Sequence, residues 1–300
     1  MPGFVTIDEV RPVAFLQANR CADDRYPALA GTWAVGCVGS DAVNVAVNVA
    51  VSGVDNRVVT LTAPVRSPAL GGGWLWTTGL PAGAWALPDP VRRTFGVTFE
   101  EGTVTTLVPR AGVAPPAVAM LQGHPTAFIP YADHVERIDL TASSWPVHPA
   151  HPLPGEPVAL GDEWAAWTER SPSTGADVWA LRGSVVAPIA QGAGDQRLVA
   201  GSNSTLWWVD GDAVVSRDMN SGVETRYAAQ TGFTAGLAVD PADGSVACWE
   251  DRRALGTTGI DLWCSNGAHL ERPGDQRWPT MSNGYLLWRE GEQVLTARLR

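Results

Sequence analysis

A four-residue phrase that returns at a distance constrains this chain more than any other feature. Gly194-Asp195-Gln196-Arg197 reappears as Gly274-Asp275-Gln276-Arg277, 80 residues on, and Asp23-Asp24-Arg25-Tyr26-Pro27 matches Asp275-Gln276-Arg277-Trp278-Pro279. After each copy comes a short apolar stretch, then an aromatic-rich segment. Pro27-Ala28-Leu29-Ala30-Gly31-Thr32-Trp33 is one instance, and Pro157-Val158-Ala159-Leu160-Gly161-Asp162-Glu163-Trp164 is another. Anchored at Pro27, Pro68, Pro116, Pro157, Val199, Ala235 and Pro279, the units advance 252 residues in six steps, a mean of 42. A period of about 40–45 residues with strand patterning is that of radially repeated four-stranded sheets.

Helical repeats of similar period are excluded by composition. The chain has 32 Gly and 23 Pro among 300 residues, and only 17% of its residues are charged. That much turn former breaks helices and suits many short strands joined by tight loops. The 45% apolar content supports a large core,. The expected fold is therefore all-β: one domain over residues 1–300, a seven-bladed β-propeller of four-stranded antiparallel blades. The blades fall at about 23–62, 63–108, 109–150, 151–193, 194–231, 232–272 and 273–300. In the fourth blade, strands are expected at 156–160, 164–169, 177–181 and 184–189, and the third unit is the most degenerate. Only three strands fit after residue 279, so the N-terminal segment 4–17 is expected to add the missing outer strand, through 13–17 or 4–8. Such pairing removes an exposed edge.

Charge narrows the partners. The net charge is −10, the pI is near 4.9, and all 21 basic residues are Arg. An acidic chain without basic clusters lacks the footprint that phosphate backbones or anionic lipid require, so no nucleic acid is expected. No run of 18 apolar residues exists, so no membrane span is expected,. Met1-Pro2-Gly3-Phe4 leads straight into strand-like sequence without a signal peptide, which leaves a cytoplasmic protein or a mature exported domain,. There is no Gly-x-Ser-x-Gly elbow, phosphate loop, dinucleotide fingerprint or His-Glu-x-x-His, and the five His fall in no recognisable triad,. No catalytic residue and no cofactor are assigned.

Two stretches carry a family resemblance. Trp249-Glu250-Asp251-Arg252 followed by Gly259-Ile260-Asp261-Leu262, and Trp167-Thr168-Glu169-Arg170 followed by Ala176-Asp177-Val178, resemble the repeats of TolB-like and WD-repeat-like propellers. The resemblance is clear in units four to seven, partial in the first and poor in the second and third. It implies a bacterial envelope or secreted protein that binds other proteins, and it is nearly silent on chemistry. Asp240-Pro241-Ala242-Asp243-Gly244 is the nearest approach to the Ser-Pro-Asp-Gly frequent in such repeats.

Four cysteines form two plausible pairs. Antiparallel pairing that sets Trp249 opposite Trp263 also sets Cys248 opposite Cys264, within disulfide reach,. Cys21 and Cys37 are expected to meet on one face of the first blade. Disulfides imply an extracellular or periplasmic location, whereas free thiols would imply the cytoplasm.

The charged residues of the loops should share one face. Asp23, Arg25, Asp195, Arg197, Asp275 and Arg277 lie in the loops that lead into blades, and Glu169, Arg170, Asp251 and Arg252 lie between second and third strands. Together they would ring the mouth of the central channel, either as a polar binding site or as a repeated clasp in which Asp and Arg of neighbouring blades pair. His148 and His151 read as an exposed linker or, alternatively, as two metal ligands,. Most of the 14 Trp recur at one strand position and read as packing between blades, while Trp85, Trp145 and Trp278 fall outside it,. The expected function is a monomeric, non-enzymatic scaffold that engages a protein partner through one face. The alternative is a carbohydrate-binding or polysaccharide-degrading propeller with its site at the channel mouth.

Overall fold

Short β-branched and aromatic runs bounded by Gly, Pro, Asn and Asp favour extended backbone over helix, and the described residues are all strands and turns. A computed structural model describes residues 7–17, 28–30, 33–38, 43–48, 58–61, 65–71, 74–79, 93–98, 104–108, 117–121, 124–130, 135–139, 159–161, 164–171, 173–182, 185–230, 236–240, 244–252, 259–282 and 284–299. Strand β1 (Ile7–Gln17) comes first. The first sheet follows with β2 (Ala28–Ala30), β3 (Trp33–Val38), β4 (Val43–Asn48) and β5 (Val58–Leu61). The second has β6 (Val65–Gly71), β7 (Trp74–Gly79), β8 (Arg93–Thr98) and β9 (Val104–Val108); the third has β10 (Ala117–Leu121), β11 (His124–Pro130) and β12 (Val135–Asp139). The fourth has β13 (Ala159–Gly161), β14 (Trp164–Ser171), β15 (Gly175–Arg182) and β16 (Val185–Ala190). The fifth has β17 (Gln196–Ser202), β18 (Thr205–Asp210), β19 (Ala213–Asp218) and β20 (Glu224–Ala228). The sixth has β21 (Leu237–Val239), β22 (Ala247–Asp251), β23 (Asp261–Cys264) and β24 (His269–Leu270). The seventh has β25 (Gln276–Ser282), β26 (Tyr285–Glu290) and β27 (Gln293–Leu299), with β1 on its outer edge.

Every pairing within these sheets is antiparallel, and every one but β1 with β27 joins strands consecutive in the chain. The first strands of the sheets touch in turn, β2 to β6, β10, β13, β17, β21 and β25, and β25 also touches β2. Strand β1 covers the proposed segment 13–17 and residues 7 and 8 of the segment 4–8, whose residues 4–6 lie outside the described residues; its register is irregular between Asp8 and Arg11 and between Pro12 and Gln17. Pro12 faces Leu295 from this edge strand, a place that tolerates its missing N–H,. The third unit shows three strands among the described residues.

Burial follows position within each sheet. In β18 the four residues Leu206 to Val209 are all buried, whereas the outer β20 is mostly exposed. Successive side chains on a strand point to opposite faces, and in a stack of sheets both faces are core. Leu206 and Trp208 thus pack toward the fourth sheet with Trp164, Ala166 and Val178. Trp207 and Val209 pack toward the sixth with Val239, Ala247 and Trp249. Buried Trp164, Trp207, Trp249 and Trp288 bear out the reading of these residues as packing between sheets.

The hairpin register in the sixth sheet pairs Trp249 with Trp263 and Cys248 with Cys264. Cys248 and Cys264 form a disulfide, with Cα atoms 4.0 Å apart. Both sit in the core shared with Leu286, Trp288 and Leu295 of the seventh sheet. Cys21, Asp23, Arg25, His148 and His151 lie outside the described residues, as does the side chain of Cys37.

Candidate functional site

The recurring Gly-Asp-Gln-Arg phrase does its work between sheets. Gly175 opens the third strand of the fourth sheet and Gly259 stands two residues before that of the sixth, at φ +93° and +108°, in the left-handed region that favours glycine,. The next amide in each case points at the following sheet. Ala176 N–H donates to Asp195 Oδ1 at 3.0 Å, and Ile260 N–H donates to Asp275 Oδ1 at 3.1 Å. A Cβ on either glycine would lie 2.8 Å from the same carboxylate oxygen, so the clasp requires Gly on one sheet and Asp on the next. Asp195 and Asp275 thus join neighbouring sheets through a backbone amide, and not through the Asp–Arg pairing between blades that the sequence reading offered. The glutamines serve their own loops and are fully buried. Gln276 Nε2 donates to the carbonyls of Arg272 at 3.1 Å and Gly274 at 2.6 Å, while Gln196 Nε2 donates to Asp210 Oδ1 at 3.2 Å.

The arginine of the phrase precedes a bulge. The register shifts between Arg197 and Ala200 in β17, and between Arg277 and Thr280 in β25. Leu198 and Trp278 sit inside these bulges at φ +55° and +51°, an unusual backbone for such side chains,. The turn swings the Trp278 N–H across to Glu250 Oε1 of the sixth sheet, 2.7 Å away. Arg289 stacks its guanidinium over the Trp278 ring at 4.7 Å, so this Trp is held by its own sheet. Strand β6 carries the same shift after Arg66. Sequence reading missed Arg66, although a signal was present: Arg25, Arg66, Arg197 and Arg277 each stand two residues before a repeat anchor.

The acids of the Trp-x-acid-Arg steps occupy different ground from that expected. Glu169 and Arg170 lie within β14 and Asp251 within β22, at strand ends and not in loops. Glu169 is paired in register with Asp177, and Asp251 with Asp261. All four are buried, at 7%, 2%, 0% and 0% exposure, so they do not line a solvent-facing mouth. Local donors explain this burial, because a buried carboxylate must be hydrogen-bonded. Trp167 Nε1 donates to Glu169 Oε1 at 2.7 Å, and Trp249 Nε1 donates to Asp251 Oδ2 at 3.3 Å. Thr174 Oγ1 donates to Asp177 Oδ2 at 2.7 Å, and Gln230 N–H donates to Asp251 Oδ2 at 3.1 Å.

The guanidinium-bearing residues Arg197, Arg252 and Arg277 are half-buried. Arg277 forms an ion pair with Asp275 at 2.9 Å. The hydrogen bond from Arg277 holds the Asp275 carboxyl below the usual Asp range; burial opposes this, and the Ile260 amide and the charges of Arg277 and Arg252 reinforce it. Burial pushes the Arg197 guanidinium down from its ordinary value, Asp195 opposes that shift, and the like charge of Arg252 adds to it. Arg252 therefore lies within electrostatic reach of Arg197 in the fifth sheet and of Asp275 leading into the seventh. Its backbone is fixed by donation of its N–H to Gln230 O at 2.8 Å. Its Nε is buried and has no hydrogen-bond partner among the described residues. Arg197, Arg252 and Arg277 thus come from three consecutive sheets. Among the described residues no three His, Cys, Asp or Glu side chains gather as a metal site, and no helix is long and apolar enough to cross a membrane.

The sequence matches no family profile and no curated protein. Solved structures match it by fold. A chain of the Mitotic Checkpoint Complex aligns at TM-score 0.62 and 12% identity, over 98% of this chain and 91% of that one. The RRP9 WD40 repeats align at 0.61 and 11%, over 98% and 100%. BamB from Moraxella catarrhalis aligns at 0.50 and 11%, over 97% of each chain. At such identities the likeness speaks for the fold alone, and it agrees with the repeats and the sheets: the chain has a β-propeller fold.

Proposed function

We propose that this propeller is a non-enzymatic scaffold of the bacterial envelope or exterior that holds a protein partner on the rim formed by Arg197, Arg252 and Arg277. The observation that carries this reading is that these arginines come from three successive sheets, Arg197 and Arg277 each set before the same bulge and Arg252 fixed by its amide on the Gln230 carbonyl. Repetition supplies rigidity, and a rigid frame that presents polar side chains at loop ends suits recognition. Membership of a structurally similar chain in a protein assembly is consistent with it,. The Cys248–Cys264 disulfide supports a location outside the reducing cytosol,.

Immobilised full-length protein incubated with extract of its native cells should retain one stoichiometric partner, competed by free protein and lost when Arg252 and Arg277 are both replaced by Gln. Absence of a stoichiometric partner in replicate would overturn the reading. A saturating, competable hit on a glycan array would replace the protein partner with a sugar.

A further inference from the structure

We propose that this propeller binds two buried water molecules at equivalent places. One bridges Trp208 to Gln196 where the fourth and fifth sheets meet, and the other bridges Trp288 to Gln276 where the sixth and seventh meet. The two sites stand apart from the scaffold reading and need no partner.

Four side chains carry the inference. Gln196, Trp208, Gln276 and Trp288 are 3%, 1%, 0% and 0% exposed. Each holds one buried polar atom without a hydrogen-bond partner among the described residues: Oε1 of both glutamines and Nε1 of both tryptophans. The orientation of each amide follows from what its Nε2 does. Gln276 Nε2 donates to the carbonyls of Arg272 and Gly274, and Gln196 Nε2 donates to a carboxylate oxygen of Asp210. An amide turned the other way would set an acceptor against acceptors, so in both residues Oε1 is the atom left over.

Register brings acceptor and donor to one face. Gln196 is paired with Asp210 and Gln276 with Glu290, and Trp208 and Trp288 stand two residues before those acids on β18 and β26. Residues two apart on a strand share a face. Diagonal neighbours across a strand pair are about 7–8 Å apart, a span that two long side chains and one water close. Both faces look to the preceding sheet: Trp208 packs with Trp164 and Val178, and Trp288 with Cys248 and Leu262. The bulges after Arg197 and Arg277 lie between each Gln and the stretch opposite its Trp, where the extra residue loosens the ladder,.

A donor and an acceptor stranded side by side in a core are each costly, and one water that accepts from the indole and donates to the amide satisfies both. The arrangement occurs twice, with Gln and Trp each displaced by 80 residues, so it belongs to the repeat. Trp207, on the opposite face of β18, closes its seam directly: its Nε1 donates to the Gly244 carbonyl of the sixth sheet at 3.0 Å.

The test uses the full-length, nitrogen-15-labelled protein and measures magnetisation transfer from water to the indole Nε1–H protons, assigned with Trp207→Phe, Trp208→Phe and Trp288→Phe. A long-lived bound water gives transfer of opposite sign in the laboratory and rotating frames, whereas proton exchange gives the same sign in both. The expected result is contact at Trp208 and Trp288 and none at Trp207. Gln276→Met, which removes the acceptor, should abolish the contact at Trp288 and leave that at Trp208 unchanged. Gln196→Met should do the reverse, so each seam is read even if one variant fails to fold. Absence of contact at either Trp208 or Trp288, an equal contact at Trp207, or a contact at Trp288 that survives Gln276→Met would each overturn the inference.

Discussion

Asp275 joins two jobs in one carboxylate: it accepts the Ile260 amide of the preceding sheet and pairs with Arg277 on its own. Its carboxyl lies below the ordinary Asp range, chiefly because Arg277 donates to it. A carboxylate with a depressed folded pKa stabilises fully above its unfolded value of about 3.9, and the contribution disappears as pH falls through the lower folded value. Asp275→Asn should therefore melt lower than wild type at pH 7, and the gap should close as pH drops toward 2. The cost at neutral pH should be about 1 kcal/mol, because Asn still accepts from Ile260 and the partly exposed ion pair adds little. Thermal melts at several pH values check this, and a gap that stayed constant with pH would show that the carboxylate charge is irrelevant. The recurrence of Asp195 and Asp275, and a clasp between neighbouring blades as one reading of it, were legible in the sequence, but the amide partner was not. The amide each accepts belongs to another sheet, 19 and 15 residues earlier, and only the fold brings them together. Asp251, expected in a loop, lies at the end of a strand. Neighbouring residues on a strand point to opposite sides, and loop assignment from sequence overlooked that β22 extends to Asp251,.

The hairpin of β22 and β23 is the element where sequence and structure agree most closely. Once Trp249 faces Trp263, strand register leaves Cys248 facing Cys264. The disulfide spans 16 residues, a loop for which chain-entropy reasoning gives about 3 kcal/mol,. Replacing both cysteines by Ala should lower the melting temperature by several degrees, as seen by calorimetry, with the sheet still formed. In the wild type, maleimide should label neither Cys248 nor Cys264 in the native state or after unfolding without reductant, as peptide mapping would show. Labelling of either residue before reduction would place the protein among thiol-bearing chains and overturn the proposed compartment. Other elements were less legible. The run Leu206-Trp207-Trp208-Val209 has no alternation, because in a sheet stacked on both sides each successive residue enters a different core. The N-terminal strand looked like two short candidates because its bulges interrupt the pattern around Glu9 and Pro12.

For the molecule as a whole, β1 is the only strand that pairs outside its own stretch of chain among the described residues. Without it, the outer edge of β27 would lie open, and β27 carries buried Val294, Leu295, Thr296 and Ala297. An unpaired edge of that composition invites association. Deleting residues 1–18 should lower the melting temperature strongly and produce aggregation visible by light scattering. A truncated chain that stays monomeric and melts with the full-length protein would show that β1 is dispensable and would reopen the composition of the seventh sheet. The periodicity of 42 was enough to foresee radial sheets, since it counts anchors and needs no contact to be known,. Which segment supplied the extra strand needed the register, because 4–8 and 13–17 are both apolar enough to pair.

That pairing also determines how the protein responds to force. Ile7 lies opposite Leu299, while Gln17 lies opposite Gln293 far along the same ladder. Antiparallel hydrogen bonds run across the strands, so a pull applied at residues 7 and 299 loads them one at a time and peels β1 away like a zipper. A tether on both ends of this chain would thus yield at the seam under low tension, and the remaining sheets would bear load only afterwards.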